Sequence, residues 1–130
     1  MTRTVASLLA ALALAGCVQH HGTRAPLDLS LTRPTEAGRY VVEIAPPQQP
    51  LPVNRIHSWQ VVVRTADGAP VDGATIRVSG GMPEHGHGFP TQPRVSPQPE
   101  PGRYVLEGMK FSMTGWWEIR LDVQSRLGTD

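Results

Sequence analysis

The strongest constraint on the fold of this chain is a strict alternation of apolar and charged residues near its end. Over residues 117–123, apolar side chains occupy the odd positions and Glu118, Arg120 and Asp122 the even ones. A period of two places the two sets on opposite faces of a β-strand, with one face buried and the other solvated. The pattern therefore predicts a half-buried strand over residues 117–123.

The same period recurs in four other segments. These are residues 38–44, 56–65, 74–79 and 103–107. Thirteen prolines and thirteen glycines in 130 residues argue against helix bundles and favour short elements joined by turns. The sequence thus predicts an all-β fold, a small antiparallel immunoglobulin-like β-sandwich with Trp59 and Trp117 in its core.

The first residues have the pattern of a bacterial lipoprotein signal. Residues 5–15 form an apolar run of eleven residues, whereas a helix that crosses a bilayer needs about 20. Leu14-Ala15-Gly16-Cys17 then matches a lipobox, in which the only cysteine of the chain accepts the lipid. We expect residues 1–16 to be the signal peptide and Cys17 to be lipidated.

These signals divide the chain into four parts. We expect a lipidated N-terminus and flexible tether over residues 17–34, the sandwich over 35–125 and a C-terminal tail over 126–130. Val18 after the lipidated cysteine favours the outer membrane facing the periplasm, if the host is Gram-negative. Twelve Lys and Arg against eleven Asp and Glu give no basic patch for nucleic acid, so the expected partners are the membrane, through the lipid, and an envelope protein.

A long segment between two predicted strands contains the most distinctive side chains. Residues 80–101 are expected to form a loop, and loops longer than about 12–15 residues are usually functional or disordered. Two imidazoles, His85 and His87, stand one residue apart, and the thioether of Met82 precedes them. Met109 and Met113 come just before the last strand. Thioether and imidazole together suit Cu(I), while zinc makes little use of thioether and calcium or magnesium need oxygen.

The same side chains are also compatible with a chain that binds no metal. A loop rich in Gly and His can simply be solvated, and Met109 and Met113 can fill gaps in the core. Glu84 is either an oxygen ligand or a solvated charge. Trp116 and Phe89 are candidates for a protein-binding surface. The sequence contains no activated nucleophile or acid–base pair, and adjacent His57 and Ser58 face opposite ways on a strand, so we expect no enzyme.

An internal echo links two strand starts. Residues 36–43 and 100–107 match at six of eight positions, and each contains a Gly-Arg-Tyr sequence, at Tyr40 and Tyr104. We interpret both as strand starts after a glycine turn, with the tyrosine docked at a corner of a sheet.

Several segments together resemble the YtkA-like domain. They are Ile56-His57-Ser58-Trp59, the turn at 67–74, Gly81-Met82-Pro83-x-His85-x-His87-Gly88, Gly102-x-Tyr104 and Phe111-x-Met113-x-Gly115-x-Trp117. The resemblance covers about residues 36–124. It implies an immunoglobulin-like sandwich in a bacterial envelope protein, similar to FixH-type proteins that are linked to copper supply for respiratory oxidases. Carried over to this chain, it implies a copper cluster of Met82, His85, His87 and Met113, with Met109 as an additional ligand.

The sequence therefore supports two hypotheses. The first is a non-enzymatic envelope lipoprotein that binds copper, as Cu(I), for delivery, storage or sensing, with a copper-receiving partner. The second is a metal-free structural or protein-interaction sandwich on the membrane surface, which would use Trp116 and Phe89.

Overall fold

The alternating segments form the strands of two antiparallel sheets. A computed structural model describes residues 26–130. Its strands are β1 (Thr32–Pro34), β2 (Tyr40–Ala45), β3 (His57–Thr65), β4 (Thr75–Met82), β5 (His87–Gly88), β6 (Arg94–Pro97), β7 (Arg103–Met109), β8 (Glu118–Ser125) and β9 (Gly128–Thr129), with a 3₁₀ turn at Pro83–His85. The first sheet has the order β1-β2-β3-β7-β6 and the second β5-β4-β8-β9. Two packed sheets with antiparallel strand pairs confirm the predicted all-β sandwich.

The core lies between the inner faces that the alternation predicted. Trp59, Val61 and Val63 of β3 are buried, as are Tyr104 and Leu106 of the neighbouring β7. Burial of such aromatic and aliphatic side chains provides most of the stabilisation of a sandwich without a disulfide. Trp117 packs against this core although it lies just before β8.

The expectation of one long loop over residues 80–101 was wrong. β4 continues through Gly80 and Gly81 to Met82, and β5 and β6 both lie inside the stretch. A Cβ on Gly80 would lie 2.0 Å from the Glu118 carbonyl oxygen, and one on Gly81 would lie 2.2 Å from that of His87. Gly80 and Gly81, which indicated a loop in the sequence, instead allow the neighbouring strands to approach β4 closely.

Two short strands lie outside residues 35–125, the expected bounds of the sandwich. The segment expected to be a tether contributes β1, which pairs with β2 from Thr32 to Pro34. The expected tail contains β9, and Asp130 continues that pairing through two backbone hydrogen bonds to Val123. Edge strands of two or three residues are too short to show a period, so the sequence pattern could not reveal them.

The predictions for the start of the chain concern residues outside the described part. The signal peptide, Cys17 and the first half of the tether all lie before residue 26. Within residues 26–130, no helix has the length and apolar character needed to cross a bilayer.

Candidate metal centre

A tight reversal at the end of β4 brings a methionine opposite a histidine. Pro83 begins the 3₁₀ turn, where its fixed φ suits the first position, and Gly86 ends it in the left-handed conformation at φ 67°. The Gly86 N–H donates to the Met82 carbonyl at 3.0 Å. The chain then returns as β5, so that Met82 and His87 are direct cross-strand partners.

The two imidazoles of this reversal lie close together at the surface. The ring centroids of His85 and His87 are 6.0 Å apart, and both residues are exposed. Nδ1 of His87 lies 3.1 Å from the Gly88 carbonyl oxygen. Because a carbonyl only accepts, Nδ1 carries the proton, and in the neutral ring the lone pair is then on Nε2, the arrangement that metal-binding histidines usually have.

Met82 is buried, but it lies outside the main core. Its side chain is 1% exposed, and it does not belong to the cluster around Trp59 and Tyr104. The segment before β8 covers it, since a Cβ on Gly115 would lie 2.6 Å from Met82 Cε. The thioether is therefore held beneath the Gly115 segment, next to the histidine reversal.

The other two methionines have different surroundings. Met113 is 40% exposed, and its carbonyl accepts a hydrogen bond from Trp117 Nε1 at 3.2 Å. The Trp117 ring in turn contacts that of His87, with centroids 5.5 Å apart. Met109 is fully buried in the main core. The structure thus groups Met82, His85 and His87 at one reversal, connects Met113 to His87 through Trp117, and assigns Met109 to the core.

The charged side chains that line the depression beside the reversal are paired with each other. Met82 and His87 line a shallow depression of about 420 Å³ together with Glu118 and Arg120. The carboxylate of Glu118 binds the Arg120 guanidinium at 2.7 Å, and this hydrogen bond raises the pKa of Arg120 above its usual value. Within residues 26–130, no three His, Cys, Asp or Glu side chains come together as metal ligands. Any metal bound here would depend on thioether as well as imidazole.

The two candidate interface residues lie at different places. Phe89 is half-buried and stacks on Trp117 with an interplanar angle of 6°. Trp116 is half-buried and lines a cleft of about 1030 Å³ between the sheets. Apolar residues of both sheets line the same cleft, among them Ile44 of β2 and Ile119 of β8.

Sequence reasoning missed a cluster of rings at the same end of the sandwich. The centroid of Phe111 lies 5.3 Å from that of His57 and 5.2 Å from that of Trp117. His57 also contacts Trp59, at 6.4 Å. His57 and Trp59 are two apart on β3, a spacing that usually places residues on one face, but the register with β7 shifts between them, which the sequence pattern does not reveal.

Comparison with known proteins gives one family. The sequence model of the family described as YtkA-like matches residues 35–122, more than half of the chain. No curated protein and no solved structure matches this chain. The match confirms the resemblance inferred from the sequence motifs.

Proposed function

Since this chain belongs to the YtkA-like family, we propose that it is a non-enzymatic, lipid-anchored envelope protein that binds Cu(I) for delivery, storage or sensing. The anchor is a lipid on Cys17, and the folded part faces the periplasm from the outer membrane. Met82, His85 and His87 are the proposed ligands at the β4–β5 reversal. Met113 is our candidate for a fourth.

The cross-strand pairing of Met82 with His87 carries this proposal. Direct partners in an antiparallel pair project from the same face, with Cβ atoms about 4.5–5.5 Å apart. The His85 ring lies 6.0 Å from that of His87, so a second imidazole is close to the pair. One thioether and two imidazoles thus converge on a single reversal of the chain.

The chemistry of these donors favours the reduced ion. Soft thioether sulfur selects Cu(I), and neutral imidazole binds copper readily. The carboxylate of Glu118, which lines the depression, binds the Arg120 guanidinium. These residues would hold the ion and orient it toward the surface, where a partner protein could receive it.

A Cu(I) titration against a competing chelator tests the proposal. We expect the His85→Ala/His87→Ala variant of the full chain to bind at least about 100-fold more weakly, because even loss of an outer partner of a ligand costs about 10–100-fold. The matched control is His20→Ala/His21→Ala, which removes two imidazoles of the expected tether and should leave this affinity unchanged.

The outcomes of this titration are distinct. Equal affinity in wild type and in the His85/His87 variant would refute the proposed site. An equal loss of Cu(I) affinity in both double variants would show that affinity depends on the number of histidines in the chain and not on their place at the reversal.

The cleft between the sheets favours the second hypothesis, a protein-interaction module. Trp116 lines it, and Val53 on its rim is 42% exposed. Under this hypothesis, a Trp116→Ala variant would lose an envelope partner that wild type retains after treatment with a copper chelator.

A further inference from the structure

His57 presents a buried nitrogen whose hydrogen-bonding capacity is not used. Its Nδ1 lies 2.9 Å from the Arg55 carbonyl oxygen, so Nδ1 carries the proton, and in the neutral ring Nε2 has the lone pair. Nε2 is buried and has no hydrogen-bond partner among residues 26–130. A buried polar atom without a partner is costly, so a native fold that keeps one has a physical reason to do so.

A thioether lies directly opposite this imidazole. His57, at the start of β3, is the cross-strand partner of Met109, at the end of β7. Direct antiparallel partners share a face, and the β3–β7 register shifts just beyond this pair, between His57 and Trp59. Met109 is fully buried, and the His57 ring contacts the core residue Phe111, so both side chains of the pair are on the core side of the sheet.

Two aromatic rings lie next to the imidazole of the pair. The centroid of Phe111 is 5.3 Å, and that of Trp59 6.4 Å, from the His57 ring. Trp59 is 3% exposed and belongs to the same core cluster as Met109 and Phe111. Aromatic rings attract cations through their π-systems, more strongly where water is excluded.

We propose that His57 Nε2 and Met109 Sδ bind a second Cu(I), buried at the end of the sandwich between Trp59 and Phe111. The donors are one soft sulfur and one neutral nitrogen, the set that suits the reduced ion. Cu(I) is stable with two or three ligands and carries one charge, which limits the cost of burying it. The Arg55 carbonyl fixes the imidazole tautomer, as outer partners of metal ligands commonly do.

This inner site is separate from the β4–β5 reversal. The rings of Trp117 and Phe111 lie between His87 and His57, in contacts of 5.5, 5.2 and 5.3 Å. None of the proposed ligands at the reversal takes part in it. The two proposals share only the choice of ion, so either can fail alone.

Silver(I) is a diamagnetic probe for a Cu(I) site, and the imidazole nitrogens report its position. We would titrate Ag(I) into the full chain labelled with ¹⁵N and follow the histidine rings by long-range ¹H–¹⁵N correlation. His57 should show the Nδ1–H tautomer before Ag(I) is added, and its Nε2 signal should shift as the ion binds. Wild type should bind two ions in the folded domain.

Variants separate the two sites. His85→Ala/His87→Ala should retain one Ag(I) and the shift of His57 Nε2. Met109→Leu conserves volume and should keep the fold, yet weaken the inner site at least about tenfold, while the signals of His85 and His87 respond as in wild type. His57→Phe should abolish the inner site alone.

Three results would overturn the inference. One is a His57 Nε2 signal that stays unchanged at saturating Ag(I). Another is wild-type stoichiometry in His57→Phe. The third is a buried water that bridges His57 Nε2 to Trp59 Nε1, the other buried nitrogen without a partner among the described residues, with no Ag(I) displacing it.

Discussion

At the scale of single residues, Gly115 controls the covering of Met82. Its φ is +127°, a backbone conformation that residues with a Cβ rarely adopt. A Cβ there would lie 2.6 Å from Met82 Cε, the far end of a flexible side chain. The methionine would therefore move, and the backbone would be strained as well.

We expect Gly115→Ala to weaken Cu(I) binding at the reversal about tenfold or more, because it displaces a ligand. Strain should also lower the free energy of unfolding by about 1–3 kcal/mol. Chelator competition and urea denaturation measure the two effects.

The matched control is Gly68→Ala. Gly68 has a φ of +94°, and a Cβ there would have no neighbour within 4 Å. This variant should be destabilised through the backbone and keep its Cu(I) affinity. Equal affinities for Gly115→Ala and wild type would argue against Met82 as a ligand.

At the scale of elements, the sequence pattern identified the strands with a buried face and missed the short strands at the edges of the two sheets. β6 lies in a stretch with five prolines between residues 90 and 101, which indicates a loop. It pairs only with β7, however, and an edge strand can accommodate a proline such as Pro97. Which strand stands at an edge is a property of the sheet, so local pattern could not reveal it.

For the two tyrosines of the repeated Gly-Arg-Tyr motif, in contrast, the local sequence was informative. Tyr40 and Tyr104 are both buried, as docking at a corner of a sheet requires. The Tyr104 hydroxyl donates to the Val71 carbonyl at 2.6 Å and accepts from the Ala74 N–H at 3.0 Å. It thereby ties β7 to the connection between β3 and β4.

Tyr104→Phe should lower the free energy of unfolding by about 1–3 kcal/mol, because it leaves a buried carbonyl and a backbone N–H without their partner. Urea denaturation measures the loss. Cu(I) affinity should not change, since Tyr104 lies near the start of β7, whereas Met109 of the inner site lies at its far end, and neither hydrogen bond of the Tyr104 hydroxyl involves a ligand at the reversal. A loss of affinity equal to that of the His85/His87 variant would show that the corner and the sites are coupled.

At the scale of the whole molecule, one carboxylate joins the two sheets. Asp130 continues the β8–β9 pairing, and its side chain accepts hydrogen bonds from the N–H groups of Ala37 and Arg39 at 2.9 and 3.0 Å. The Thr35 hydroxyl donates a third, at 2.7 Å. These bonds, chiefly that from Ala37, lower the pKa of Asp130 below its ordinary 3.8.

A lowered pKa makes the contribution of Asp130 to stability dependent on pH. Since the folded state favours the carboxylate, the contribution is present above about pH 3.8 and is lost as the pH falls through the lower value in the folded protein. Asp130→Asn should therefore be less stable than wild type at pH 7, and the difference should shrink below pH 3.8. Thermal unfolding over a pH series measures it.

Glu36→Gln is the control for charge alone. Glu36 lies in the same turn as Ala37 and is exposed. Its substitution should leave the pH dependence unchanged. A difference between Asp130→Asn and wild type that does not vary with pH would contradict the role of the carboxylate.

The sequence by itself determined the sheet faces, the packing of Trp59 and Trp117 at the core, and the family, because a period of two and a motif are local properties of the chain. It also indicated Met82, His85 and His87 as candidate ligands of one copper site. Only the tertiary structure decided that Met82 is covered by Gly115, that Met109 is buried opposite His57, and that Met113 stays exposed. The three methionines are chemically identical, and their surroundings depend on which strands meet, which no local pattern encodes.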